Sequence, residues 1–124
     1  GTIMGTSRYL KEVKPDVTIV GVRPDSEGGI PGLRAWPEAY LPKIYEAQRV
    51  DDFRIVSRAD AVNMTRRLAR EEGIFAGISS GGNVHIAVNL AAELEQAGRD
   101  DAVVVVIICD RGDRYLSTGV FSDA

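Results

Sequence analysis

A single cysteine, Cys109, and a single histidine, His85, are all that this chain holds of either residue type. One thiol excludes an internal disulfide framework and fits a reducing cytosol. His85 shares a helix face with Asn89 and has no Cys, Asp or second His at ligand spacing, so no metal site is expected. A surface or partly buried helix histidine is the simpler reading. Aromatic residues make up only 6%. No apolar run approaches the ~20 residues of a membrane span, and no signal-peptide pattern opens the chain. Basic stripes are missing too. Arg66-Arg67 and Arg111 to Arg114 are short runs mixed with Glu and Asp, and the net charge is -3, which argues against a nucleic-acid surface. Neither a Gly-x-Gly-x-x-Gly fingerprint nor a Gly-Lys-Ser/Thr loop occurs, so the two commonest nucleotide cradles are excluded.

What remains is 124 residues, 44% hydrophobic and 27% charged, the profile of one soluble globular domain with enough mass for a core. The opening Gly1-Thr2-Ile3-Met4-Gly5 lacks a start Met and reads like the middle of a loop-to-helix junction. The expectation is a piece of a longer protein.

Hydrophobic spacing divides the chain into elements. Ile3 to Glu12 reads as a short helix stopped by Lys14-Pro15. Val17 to Val22 is a β-branched run expected as a strand buried on both faces. Arg23 to Pro42 carries four of the five prolines and reads as a long ordered loop anchored by Trp36 and Tyr40. Asp52 to Val56 is a short strand candidate. From Ala59, the positions Ala61, Val62, Thr65, Leu68 and Ala69 repeat at helical spacing, with Gly73 a natural stop. Ile74 to Ile78 reads as extended. A second helix begins at Ser80 or the glycines after it, carries Val84, Ala87, Val88, Ala91 and Leu94 on one stripe, and ends at Gly98. Ala102 to Cys109 is the strongest strand candidate, apolar at every position. The order implies an α/β fold: an open, mostly parallel sheet flanked by helices.

Chemistry concentrates in Gly77-Ile78-Ser79-Ser80-Gly81-Gly82. Glycines and hydroxyls at a helix start leave backbone N–H groups open to a flat or anionic ligand. One serine capping the helix and one filling a turn would explain half of the run. Two further glycines lower helix stability, and close approach of another group is the better reason for them. Gly1-Thr2 at the first helix start suits a phosphate, and suits an ordinary N-cap equally well. Cys109 at a strand end reads as a small core residue by default. Cys109, Asp110 and the loop Arg111 to Arg114 also stand where ligands bind in open α/β sheets, though a salt-bridged loop is the alternative. A nucleophilic Cys109 would need His85 as its base.

Three stretches together carry a family resemblance. Glu71 to Gly82 (EEGIFAGISSGG) resembles the helix–strand–helix segment of the pyridoxal-phosphate-dependent cysteine synthases. Cys109 to Phe121 (CDRGDRYLSTGVF) is similar to their C-terminal segment, and Ile30 to Pro37 (IPGLRAWP) to a loop of the B-type branch. The resemblance as a whole runs, in order, over essentially the whole chain. The resemblance implies the fold-type II (tryptophan synthase β-like) architecture. Residues 1–124 would form the C-terminal part of the pyridoxal-5'-phosphate-binding large domain. It also implies a cytoplasmic homodimer that replaces the activated group of an O-acetylserine-type substrate with sulfide or thiosulfate, giving cysteine or S-sulfocysteine. Alternatives are a cystathionine β-synthase-like or other β-elimination enzyme of this fold, or a non-catalytic module.

For single residues the resemblance implies that Gly1 and Thr2 end the phosphate cup and that Ser79 hydrogen-bonds the pyridine nitrogen. A neutral hydroxyl there cannot hold that nitrogen protonated as an aspartate would, so the ring withdraws electrons less strongly, which suits β-elimination. Arg34 is the candidate for an anionic sulfur donor or substrate group, with a solvated loop arginine as the alternative. The Schiff-base lysine belongs to the family's N-terminal half. Lys11, Lys14 and Lys43 sit in no matching motif, so no catalytic residue is assigned here and the chain alone is expected to be inactive.

Overall fold

Pairing between two short β-branched segments sets the architecture. The computed structural model describes residues 1–122. Helix α1 (Thr2–Val13) leads into strand β1 (Val20–Pro24), which pairs in parallel with β2 (Asp52–Val56) from Val20↔Asp52 to Pro24↔Val56. Helices α2 (Arg58–Glu72) and α3 (Ile78–Gln96) follow, and a 3-10 turn at Gly112–Thr118 comes last. Helices beside a parallel pair make the α/β class expected from the sequence.

Strand β1 starts three residues later than its β-branched run. Side chains have already taken the earlier backbone groups: Lys11 Nζ donates to the Val17 carbonyl at 2.6 Å, and the Ile19 N–H donates to Asp51 Oδ2 at 2.7 Å. Lys11 and Asp51 also pair directly at 2.8 Å, which fastens the end of α1 to both strands. Pro24, which has no N–H to give a ladder, ends the strand.

Helix α2 begins on Ser57, whose Oγ accepts the Asp60 N–H at 3.1 Å and donates to Asp60 Oδ2 at 2.8 Å. It stops at Gly73, left-handed at φ 67° as its position predicts, and the Ile74 N–H reaches back to the Leu68 carbonyl. Its buried face is Ala61, Met64, Thr65 and Leu68. Helix α3 starts at Ile78 with Gly77 as N-cap, two residues before the expected Ser80. The expected stripe on α3 is corrected as well. Val88 is half exposed and Ala91 is exposed, whereas Ile78, Gly81, Gly82 and Ile86 are buried. The helix is covered from the α2 side, and the glycines rather than the aliphatics mark that side. Ile30, Val56, Ala61, Ile78, Ile86 and Val120 form the core, with Val20, Val22 and Leu33 packed against it.

Two further expectations are corrected. Trp36 and Tyr40 do not anchor the long loop, being 47% and 73% exposed; Ile30, at 3%, does. Ala102 to Cys109 forms no ladder among the described residues, and Val103 and Val105 are more than four-fifths exposed. A run apolar on both faces needs a layer on each side and a strand beside it, and the described residues supply neither fully. The extended reading of Ile74 to Ile78 reduces to one antiparallel bridge, Ala76↔Arg111.

Candidate functional site

The first turn of α3 is buried from Ile78 to Gly82, which is unusual for a helix start carrying two serines. The two hydroxyls have different fates. Ser80 Oγ accepts the Cys109 N–H at 2.9 Å, so it serves the fold. Ser79 is only 3% exposed and its Oγ has no hydrogen-bond partner among the described residues. Asp110 Oδ1 is the one buried side-chain oxygen without a partner among the described residues, so Ser79 Oγ is not sealed off and stays open to a group from outside.

Above Ser79 lies the turn Ile30–Leu33, closed by the Leu33 N–H to the Ile30 carbonyl at 3.1 Å. Pro31 occupies the second position and Gly32 the third, with φ 92°, the pairing a type II turn requires. A Cβ on Gly32 would stand 3.1 Å from Ser79 Oγ, so the glycine lets the loop backbone approach the hydroxyl. The Pro-Gly dipeptide was the sequence signal for this turn; nothing local announced that it would cover Ser79.

The other glycines of the run have a different explanation from the one expected. A Cβ on Gly81 would collide with Thr65 Oγ1 and with the Ala61 carbonyl, and one on Gly82 would press on Val56 at 3.3 Å. The group in close approach is α2 and β2, not a ligand.

At the start of α1, Gly1 is the N-cap and no side chain caps the helix, so Thr2 does not act as the N-cap. Both residues are exposed, and the first turn contains no acidic residue. Its amides are left to an anion from outside. Gly1 and Arg34 line one cleft of about 410 Å³ together with Met4, Arg23, Trp36 and Phe53. The Arg34 guanidinium lies over the Trp36 ring at 5.3 Å from its centroid, and that of Arg23 over Phe53 at 3.6 Å. Trp36 is exposed because it forms a wall of this cleft rather than of the core. Ser79 does not line the cleft; it sits behind the Gly32 turn that leads into Arg34.

Segment 109–115 closes the site from the other side. The Gly112 N–H donates to the Phe75 carbonyl at 2.9 Å, beside the Ala76↔Arg111 bridge. Tyr115 donates its phenol to Asp110 Oδ2, while Asp110 Oδ1 is buried without a partner. The bond to Asp110, then burial, pushes the Tyr115 hydroxyl above its ordinary range. Arg111 pairs with Asp113 at 3.3 Å on the surface, the salt-bridged form of that loop. Cys109 is an exposed free thiol, not a core residue. His85 is not its base: His85 Nε2 faces Asn89 at 3.2 Å and Asp60 at 3.9 Å.

These residues fit pyridoxal phosphate in kind. A hydroxyl that makes no hydrogen bond among the described residues is available to a ring nitrogen, and an uncapped helix start without acidic residues to a phosphate. Comparison with known proteins agrees. Cysteine synthase B of Pseudomonas aeruginosa is 58% identical over 121 residues, which is 98% of this chain and 39% of that protein. That of Escherichia coli is 52% identical over 123 residues, again 39% of its length. A solved cysteine synthase from Entamoeba histolytica superposes with a TM-score of 0.86 at 31% identity, covering 99% of this chain and 38% of that one. The chain thus spans about two-fifths of the relatives it matches. The family model for pyridoxal-phosphate dependent enzymes matches residues 1–110, from the uncapped start of α1 through Ser79 to Asp110, and the chain belongs to that family.

Proposed function

We propose that residues 1–124 are the C-terminal part of the cofactor-binding large domain of a cysteine synthase. Residues 123 and 124 lie outside the described structure. The observation that carries the reading is Ser79, a mostly buried residue in the first turn of α3 whose hydroxyl makes no hydrogen bond among the described residues. Bound pyridoxal phosphate supplies an electron sink for β-replacement on an activated serine. Ser79 holds its ring nitrogen by a hydrogen bond without placing a full charge beside it. Gly1 and Thr2 offer the phosphate the open amides of α1. Arg34, held over Trp36 at the cleft wall, meets the anionic sulfur donor, sulfide or thiosulfate. The Ile30–Leu33 turn shields Ser79 from water. The resemblance to the cysteine synthases supports O-acetylserine as the substrate type and a cytoplasmic homodimer as the working form. The free thiol of Cys109 fits a reducing compartment. No helix among the described residues is long and apolar enough to cross a membrane.

The test uses the intact gene product, titrated with pyridoxal phosphate and assayed for cysteine or S-sulfocysteine formation from O-acetylserine. Ser79→Ala is expected to weaken cofactor binding about tenfold, the worth of one hydrogen bond near 1.4 kcal/mol, and to change the absorption of the bound cofactor. Arg34→Ala is expected to raise KM for thiosulfate more than it lowers kcat. A wild-type product that binds no pyridoxal phosphate, or a Ser79→Ala variant with unchanged affinity and spectrum, refutes the assignment.

A further inference from the structure

The Asp110–Tyr115 pair is left over once the fold and the proposed site are accounted for. Its setting is peculiar. Asp110 Oδ1 is buried without a partner, and it occupies the place where a side chain on Gly77 would begin. Tyr115 Cε2 would stand 2.5 Å from the same Cβ. The pair therefore fills the space beside the N-cap of α3, and only a glycine at position 77 admits it. The N-terminal end of a helix favours a carboxylate, which offsets part of the cost of the unpartnered oxygen.

The rest of the segment reinforces this placement. The bridge Ala76↔Arg111 and the Gly112 N–H to the Phe75 carbonyl hold the approach to Gly77, and the Cys109 N–H on Ser80 Oγ holds the residue after Ser79. Ser79 is thus fixed from both flanks but not through its own side chain, which makes no hydrogen bond among the described residues. The position of its hydroxyl follows from where the backbone of residues 77–80 is held. We infer that Asp110, paired with Tyr115 against Gly77, is a positioning residue that sets the register of the α3 first turn and so aims the Ser79 hydroxyl at the cofactor ring. This rests on the cofactor reading proposed above for Ser79.

The experiment compares Asp110→Ala, Asp110→Asn and Tyr115→Phe in the intact gene product, with Ser79→Ala beside them. Asn keeps an oxygen to accept the Tyr115 phenol, so it should restore what Ala loses. Expected for Asp110→Ala and Tyr115→Phe are about tenfold weaker pyridoxal-phosphate binding, equivalent to about 1.4 kcal/mol, and an altered spectrum of the bound cofactor. In cofactor-free protein, amide hydrogen exchange over residues 76–82 should be faster, with exchange in α1 unchanged. Arg66→Ala serves as the control for general destabilisation, because Arg66 Nε holds the Val120 carbonyl at 2.5 Å, on a different part of the C-terminal segment. It should lower stability without changing the cofactor spectrum. Asp110→Ala and Tyr115→Phe with wild-type affinity, spectrum and exchange overturn the inference while leaving Ser79 in place if Ser79→Ala still responds. Equal responses in Arg66→Ala also overturn it, since the effect would then be stability alone. A wild-type product without affinity for the cofactor overturns both readings.

Discussion

Substituting Gly81 by alanine tests the helix packing behind the site, because two opposing effects can be weighed from the structure. Alanine in a helix interior is worth about 1 kcal/mol over glycine when nothing is in the way. At Gly81 the added methyl would lie on Thr65 Oγ1 and the Ala61 carbonyl, and 2.8 Å from the Thr65 backbone N. Two of these three atoms are backbone of α2 and cannot swing aside, so α2 and α3 must separate. Overpacking of this kind costs typically 1–3 kcal/mol and occasionally more, and the backbone clash puts Gly81→Ala at the upper end. The net expectation is a loss of about 2 kcal/mol. Gly5, in α1, provides the internal comparison: its Cβ would meet nothing within 4 Å, so Gly5→Ala should gain up to about 1 kcal/mol. Thr65→Ala in the Gly81→Ala background should not rescue, since the Ala61 carbonyl remains. Urea midpoints of the intact gene product, read with an unchanged slope, give the comparison. A Gly81→Ala variant as stable as wild type, or a full rescue by Thr65→Ala, would refute the argument.

Other outcomes follow from the same geometry. Gly32→Ala should weaken cofactor binding and lower stability, because alanine is strained at φ 92° and its methyl would reach Ser79 Oγ; unchanged affinity would place the cofactor elsewhere. The Lys11 partner and the Ile19 amide hold the Asp51 carboxyl below its ordinary value. A depressed carboxylate contributes stability above the unfolded pKa near 3.9 and loses it as pH falls through the folded value. Asp51→Asn should therefore flatten the acid side of the stability profile below about pH 4, and a slope identical to wild type would remove the clamp from the account. Val103 and Val105 are exposed and in no ladder among the described residues, an apolar segment open to association in the 124-residue chain on its own. Val105→Lys should reduce its association in analytical ultracentrifugation, and an unchanged sedimentation profile would count against an exposed edge.

Much of the fold is legible in the residues themselves. Gly73 ends α2 where its position predicts, the helix starts at Arg58, one residue before the expected Ala59, and Asp52 to Val56 is a strand as expected. The serine- and glycine-rich start of α3 suggests a ligand, but its glycines Gly81 and Gly82 make room for α2 and β2. Sequence and structure part where a residue answers to something distant in sequence. Trp36 and Tyr40 look like core anchors by size, yet the loop is held by Ile30 and Trp36 walls a cleft. Ala102 to Cys109 reads as the best strand, but hydrogen bonds to a neighbour make a strand, and composition does not supply the neighbour.

The sequence by itself determined the α/β class and the stop of α2 at Gly73, because each rests on short-range periodicity or capping, while the choice of Ser79 rests on the family resemblance. The tertiary structure gave the two serines different surroundings: Ser80 Oγ accepts the Cys109 N–H, and Ser79 Oγ bonds to nothing among the described residues. It alone assigned Gly81 to helix packing, Gly32 to the roof over Ser79 and Gly77 to the space beside Asp110. The physical reason is the same in each case. A glycine states that room is needed, and only the packed chain shows what fills it.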